Sequence, residues 1–196
     1  MTAIRRLLVA NRAEIASRVF RTCRRLGIET VAVHSDVDAD LPYVREADAA
    51  VRLPGVAPGD TYLRGDLLVD AARRAGADAI HPGYGFLSEN AEFARTVLDA
   101  DLIWIGPAPE SIEQMGSKIE AKRLMAAAGV PILESLHVED AKPEHLPLLV
   151  KASAGGGGRG MRVVRDLADL SAEVEKAQAE ALSAFGDGTV FIEHYV

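Results

Sequence analysis

Three helical stretches of this chain stop in the same way, at Arg24-Arg25-Leu26-Gly27, Arg73-Arg74-Ala75-Gly76 and Ala127-Ala128-Gly129, and after each comes a candidate strand or a turn into one. A glycine enters the left-handed conformation that closes a helix without steric cost, and arginines in the last turn meet the negative end of the helix dipole. Reading between these stops gives strands over 4–10, 30–34, 49–53, 77–80 and 102–105, and helices over 13–26, 63–75, 90–98 and 118–128. In the first helix Ile15, Ala16, Val19, Phe20 and Cys23 share one face, with Arg18, Arg21 and Arg25 largely opposite. Strand and helix alternating in this way predict a parallel, doubly wound sheet with helices on both faces.

From about Pro131 the pattern changes. Residues 148–152 read as a strand, 154–160 as a glycine loop and 161–165 as a second strand; a helix follows, with Leu167, Leu170, Val174, Ala177 and Ala181 at helical spacing. Gly186-Asp187-Gly188 then turns the chain into a β-rich end over 189–196. A domain of helix and hairpin with its last strand at the terminus reads as unfinished.

Composition narrows the ligands. A formal charge of -7 argues against a nucleic-acid or membrane surface, both of which need a broad basic field, so an anionic ligand must meet local Lys or Arg. The one cysteine, Cys23, excludes an intrachain disulfide and a cysteine-based metal site, and suits a reducing cytoplasm. The apolar run at 7–10 is far too short for a signal or spanning segment.

Gly155, Gly157 and Gly160 satisfy G-x-G-x-x-G, yet the dinucleotide fingerprint needs a helix after its glycines and here a strand follows. No Gly-Lys-Ser/Thr ends the loop, so the Walker pattern fails as well. What remains is a hairpin with a side-chain-free tip, able to lie over phosphates and offer backbone N–H groups, or else a flexible surface turn. Lys151 before the loop and Arg159 within it favour the first. Taken alone, Lys151 could also be an edge-strand lysine facing water. Lys118 stands in the first turn of a helix that Ser117 and Glu120 would open as a capping box; a cation there opposes the dipole and is tolerable beside an anion, the default reading being a solvated surface lysine. The stretch 81–90, His-Pro-Gly-Tyr-Gly-Phe-Leu-Ser-Glu-Asn, follows a parallel strand and so lies at the sheet edge where α/β ligands bind. It is either a shaped wall or a tight turn with Ser88 or Glu89 opening the next helix. The first strand runs into Ala10-Asn11-Arg12-Ala13-Glu14 without a glycine, which speaks against a dinucleotide there. Asp36, Asp38 and Asp40 imitate a calcium loop, but Leu41 and Ala47 occupy its glycine and final glutamate positions. The histidines show no ligand spacing, and nothing supports a covalent nucleophile.

Ala10-Asn11-Arg12-Ala13-Glu14-Ile15-Ala16, the stretch 79–91, Met115-Gly116-Ser117-Lys118, and 151–164 together resemble the biotin carboxylase family, in register over essentially the whole chain. The resemblance implies a Rossmann-like, pre-ATP-grasp domain over 1–112, then the first part of an ATP-grasp domain over 113–196 with its glycine-rich lid subdomain at about 130–196. It implies an enzyme that uses MgATP and bicarbonate to form carboxyphosphate and then carboxylates biotin on a carrier protein. Carried over by position, Lys118 and Lys151 match lysines that contact ATP phosphates, Gly157 and Gly158 match lid glycines over them, Met161 belongs to the same ATP site, and Glu193 to Val196 match the segment receiving adenine. Tyr84 and Gly85 match a wall near the biotin and bicarbonate site.

The resemblance also implies a carboxyl carrier protein, a carboxyltransferase subunit that chooses the acceptor, and a homodimer of the complete subunit. It places the magnesium ligands, the bicarbonate-binding arginine and the general base beyond Val196, so the chemical step is expected from no residue of this chain. A non-catalytic partial nucleotide-binding or subunit-interaction module is the alternative. Ala13 and Ala154 stand where the family usually carries glycine; for Ala154 this implies only a stiffer lid.

Overall fold

Strand β1 (Arg6–Val9) carries Leu7, Leu8 and Val9 in succession, all buried, because the sheet it belongs to is covered on both faces. The computed structural model describes residues 3–153 and 161–195, without the side chain of Phe185. Contacts divide the chain into two units, Met1–Glu113 and Gln114–Val196, each treated by itself below.

The first unit adds α1 (Ala13–Leu26), β2 (Glu29–His34), α2 (Pro42–Glu46), β3 (Ala49–Arg52), α3 (Gly65–Arg74), β4 (Ala79–His81), α4 (Ala91–Asp99) and β5 (Ile103–Trp104). Its sheet runs β3-β2-β1-β4-β5 and every pairing is parallel, with Leu8 opposite Val31 and Ile80. Alternation along the strands divides the core. Leu7, Val9, Ala32 and Ala79 pack with Ala16, Phe20 and Cys23 of α1 and Tyr43 of α2. Leu8, Val31, Val33 and Ile80 pack with Leu68 and Ala72 of α3 and Phe93 and Val97 of α4. The predicted parallel sheet and the buried face of the first helix are therefore present, and Gly27 and Gly76 are left-handed at φ 72° and 65°. Strands β1, β3, β4 and β5 are shorter than the predicted runs while β2 begins one residue earlier, and flanking residues still bond across strands, the Ala10 N–H to the His81 carbonyl, Leu53 to His34 and Ile105 to Ile80. The helix after residue 90 is opened by neither Ser88 nor Glu89: Asn90 is the cap, accepting from the Phe93 N–H at 2.7 Å. Helix α2 lacked a legible pattern because five residues are too few to show a period.

The entry to α1 is strained. Arg12 is extended and Ala13 then takes φ 50°, a left-handed conformation that costs a non-glycine residue about 1–3 kcal/mol. Ala13→Gly is expected to stabilise this unit by about 1 kcal/mol, raising the urea midpoint followed through the fluorescence of Trp104, the only tryptophan, by about 0.5 M.

After α5 (Pro109–Gly116), which straddles the boundary, the second unit contains α6 (Lys118–Ala127), β6 (Ser135–Leu136), β7 (Leu148–Ala152), β8 (Arg162–Val164), α7 (Leu170–Phe185) and β9 (Val190–His194). Its sheet runs β6-β9-β7-β8, all antiparallel. One face, with Leu148, Val150, Val164 and Ile192, packs against Leu170, Val174 and Ala177 of α7. The opposite face carries Leu149 and Lys151 of β7 with Phe191 and Glu193 of β9, Leu149 opposite Glu193 and Lys151 opposite Phe191. The predicted hairpin of β7 and β8 is an antiparallel pair, but β7 is an interior strand, which overturns the reading of Lys151 as an edge-strand lysine in water. Among the described residues no helix is long and apolar enough to cross a membrane.

Candidate functional site

In the first sheet, β1 and β4 are neighbours whose following segments leave for opposite faces, and in an open parallel sheet ligands enter at such a switch point, beyond the carboxyl ends of the strands. A cleft of about 450 Å3 lies there, between residues 11–15 on one side and Tyr84, Gly85 and Phe86 on the other. Asn11 builds it. Its buried side chain donates from Nδ2 to the carbonyls of Pro82 and Tyr84, both at 2.9 Å, and accepts the Arg12 N–H at Oδ1. Gly83 passes so close that a Cβ would sit 2.7 Å from both Asn11 Nδ2 and Ile15 Cγ2. Its N–H donates to His81 Nδ1 at 2.9 Å, so that nitrogen is unprotonated; burial, aided by Arg18, holds the imidazole pKa below its usual value. Tyr84 is exposed and donates to Glu14 Oε2 at 2.8 Å across the mouth, which makes its own proton harder to remove.

Beneath the cleft runs a buried polar chain. Asp38 accepts from Arg12 Nη1 at 3.0 Å on both oxygens and from the Tyr62 hydroxyl at 2.5 Å. Tyr62 accepts the Ser35 N–H at 2.9 Å, and Tyr43 donates to the Val33 carbonyl. Burial opposes ionisation of Asp38, yet the hydrogen bonds from Tyr62 and Arg12 outweigh it and hold the carboxyl below the usual range. Burial also pushes the Tyr43 phenol well up. The three aspartates that imitate a calcium loop diverge: Asp38 turns inward, Asp36 binds Arg52 and the Gly55 N–H, and Asp40 faces solvent.

The second unit gathers cations at the carboxyl end of β7. Ser117 caps α6, accepting from the Glu120 N–H at 3.3 Å, but Glu120 binds Arg123 instead of returning to the cap, so the expected capping box is one-sided. The Lys118 backbone N–H donates to the Ser153 carbonyl at 3.1 Å and its Nζ reaches the same oxygen at 3.4 Å, which brings the start of α6 to the residue after β7. Lys151 lies two residues upstream and pairs with Glu193 Oε1. Glu193 is buried, and its second oxygen takes Lys122 Nζ at 2.9 Å. Burial resists the charge on Glu193, but the two ammonium donors prevail and hold its pKa below the ordinary carboxylate value.

Of the residues singled out in the sequence, Lys118, Lys151 and Glu193 are thus brought together, while Met161 stands half exposed before β8 and Tyr84 with Gly85 walls the cleft of the first unit. Gly157, Gly158 and Val196, like Ala154 and Arg159, lie outside the described residues. Lys122 went unrecognised; its signal is the i,i+4 spacing from Lys118, which puts both on one face of α6. The roles of Asn11 and Asp38 as hydrogen-bonding hubs are not legible in the sequence, because hydrogen bonds to distant carbonyls and phenols leave no local pattern. Among the described residues no group of three or more His, Cys, Asp or Glu could hold a metal.

Residues 3–112 match the family model described as biotin carboxylase, N-terminal domain, and residues 117–196 that of the carbamoyl-phosphate synthase L chain, ATP binding domain. A biotin carboxylase of Halalkalibacterium halodurans is 46% identical over 98% of this chain and 44% of its own length. The mitochondrial methylcrotonoyl-CoA carboxylase subunit alpha of Oryza sativa subsp. japonica is 48% identical over 99% of this chain and 28% of its own. Among solved structures, a biotin carboxylase from Campylobacter jejuni in complex with beta-gamma-ATP aligns with a TM-score of 0.95 at 40% identity, over 99% of this chain and 46% of that one. The biotin carboxylase domain dimer of Hydrogenobacter thermophilus 2-oxoglutarate carboxylase, with MgADP, ADP and bicarbonate, gives 0.93 at 44% identity over 100% and 45%. The chain spans less than half the length of each of these relatives.

Proposed function

This chain belongs to the biotin carboxylase family, and on that premise we propose that it supplies the first part of a subunit that carboxylates biotin on a carrier protein, using MgATP and bicarbonate through carboxyphosphate. The observation that carries the reading is the convergence of Lys118 and Lys151 on the end of β7, directly before the glycine run in the sequence. Transfer of a phosphoryl group asks a protein chiefly for positioning and for neutralisation of oxygen charge, and two lysines close in sequence to a glycine-rich stretch suit that demand.

In this reading 1–112 is the N-terminal domain and 113–196 opens an ATP-grasp domain with its lid subdomain at about 130–196. Lys118 and Lys151 hold phosphate oxygens, Gly157 and Gly158 cover them, Met161 joins the nucleotide site, and the segment from Glu193 to Val196 receives adenine. The Glu193 carboxylate is turned to the lysines, so contact with the base falls to that segment's backbone. Tyr84 and Gly85 wall the region for biotin and bicarbonate. No described residue is assigned to magnesium. In this reading carboxylation belongs to the complete subunit, working with a carboxyl carrier and a carboxyltransferase and paired as a homodimer.

Calorimetric titration of the chain with MgATP tests this. Lys118→Met and Lys151→Met are each expected to weaken binding about tenfold or more, since each removes a charge-assisted contact to phosphate. Unchanged affinity in both variants would remove the phosphate role from this corner.

A further inference from the structure

The Lys122–Glu193–Lys151 cluster holds two ammonium groups for one carboxylate, and the carboxylate is the buried member: its side chain is 4% exposed against 20% for Lys122 and 25% for Lys151. Lys122 is fixed from several sides. It donates to Glu193 Oε2 and to Ser135 Oγ, both at 2.9 Å, and its Nζ lies 5.3 Å from the centre of the Phe191 ring. Lys151 takes the other oxygen of Glu193 from an interior strand, four residues before the first glycine of the run. We propose that Lys122 is the standing counter-ion of Glu193, a positioning residue that allows the Lys151 ammonium to pass from Glu193 to a nucleotide phosphate. The inference rests on the reading of the Lys118 and Lys151 corner as a phosphate site.

With one lysine, removing it from Glu193 would leave a buried carboxylate uncompensated, which is strongly unfavourable, and the lysine would stay where it is. With Lys122 in place Glu193 keeps a partner at every stage, the cluster carries a net charge of about one positive unit, and the flexible stem of Lys151 can follow an arriving anion.

The test is calorimetric titration of the chain with MgATP, comparing the unaltered sequence with Lys122→Met, Lys122→Arg and the double variant Lys122→Met/Glu193→Gln. Lys122→Met should weaken binding about tenfold or more, because Lys151 becomes the sole cation of Glu193. Lys122→Arg should recover most of that loss, and so should the double variant, in which the charge that detains Lys151 is gone. A lysine that merely supports the fold would leave the double variant no better than the single one; that result, or full affinity in Lys122→Met, overturns the proposal. Should Lys122→Met not fold, Lys122→Gln, which keeps a donor toward Ser135, carries the same expectation. If the unaltered chain takes up no MgATP, the nucleotide reading falls for this chain, and Lys122 is then judged by the rate at which acetic anhydride labels Lys151, read by mass spectrometry. A several-fold slowing in Lys122→Met supports the counter-ion role, and an unchanged rate overturns it.

Discussion

Gly83→Ala is expected to destabilise the first unit by about 4 kcal/mol, the sum of two costs of about 1–3 kcal/mol each. The first is conformational: Gly83 sits at φ 71°, where a side chain is strained whatever the space around it. The second is steric. The new methyl would meet Asn11 Nδ2 and Ile15 Cγ2 at 2.7 Å, and Asn11 cannot retreat without releasing the Pro82 and Tyr84 carbonyls it holds. In urea unfolding followed through Trp104 the midpoint should fall by about 2 M if the slope is about 2 kcal/mol/M. Gly85→Ala separates the two costs. Gly85 has φ 67°, but a Cβ added there would meet nothing within 4 Å, so only the conformational part, about 1 kcal/mol, should appear. Equal effects at both positions would mean that the Asn11 clamp does not define this wall.

Asp38→Ala is expected to cost about 3 kcal/mol, because it removes the acceptor for the buried Tyr62 hydroxyl and the partner of Arg12 in one step. The same residue gives a pH signature. Its folded pKa lies below the unfolded value of about 3.9, so its contribution is fully present above that value and is lost as pH falls through the folded one. Asp38→Asn keeps the shape and cannot titrate. The difference in stability between the unaltered chain and Asp38→Asn should therefore be constant from neutral pH down to about 5 and shrink below about 4. A difference that persists undiminished to pH 2 would show that the carboxylate charge plays no part.

The alternation of apolar strands with glycine-closed helices was enough to establish a parallel sheet covered on both faces, since a strand such as Leu7-Leu8-Val9 can bury consecutive side chains only between two layers. Helix stops were legible because left-handed glycine is a local requirement, and the β7–β8 pair was legible as two short β-rich runs on either side of a glycine-rich stretch. Ala13 was visible as a departure from glycine, and the fold supplies the meaning: φ 50° at the entry to α1. What the sequence left open depends on distance along the chain. Asn11 acts 71 residues away at Pro82, Asp38 acts 24 away at Tyr62, and Lys122 and Glu193 are separated by 71 positions. For Lys151 the sequence leaves an edge lysine open beside the phosphate reading, and β9 and β8 on either side of β7 make it a residue of an interior strand. Periodicity records which side of an element faces the core, a property of neighbours three, four or two residues apart. The partner that a buried charge meets there is decided only when distant elements close on one another, because the cost of leaving it unpaired arises in the folded interior and nowhere else.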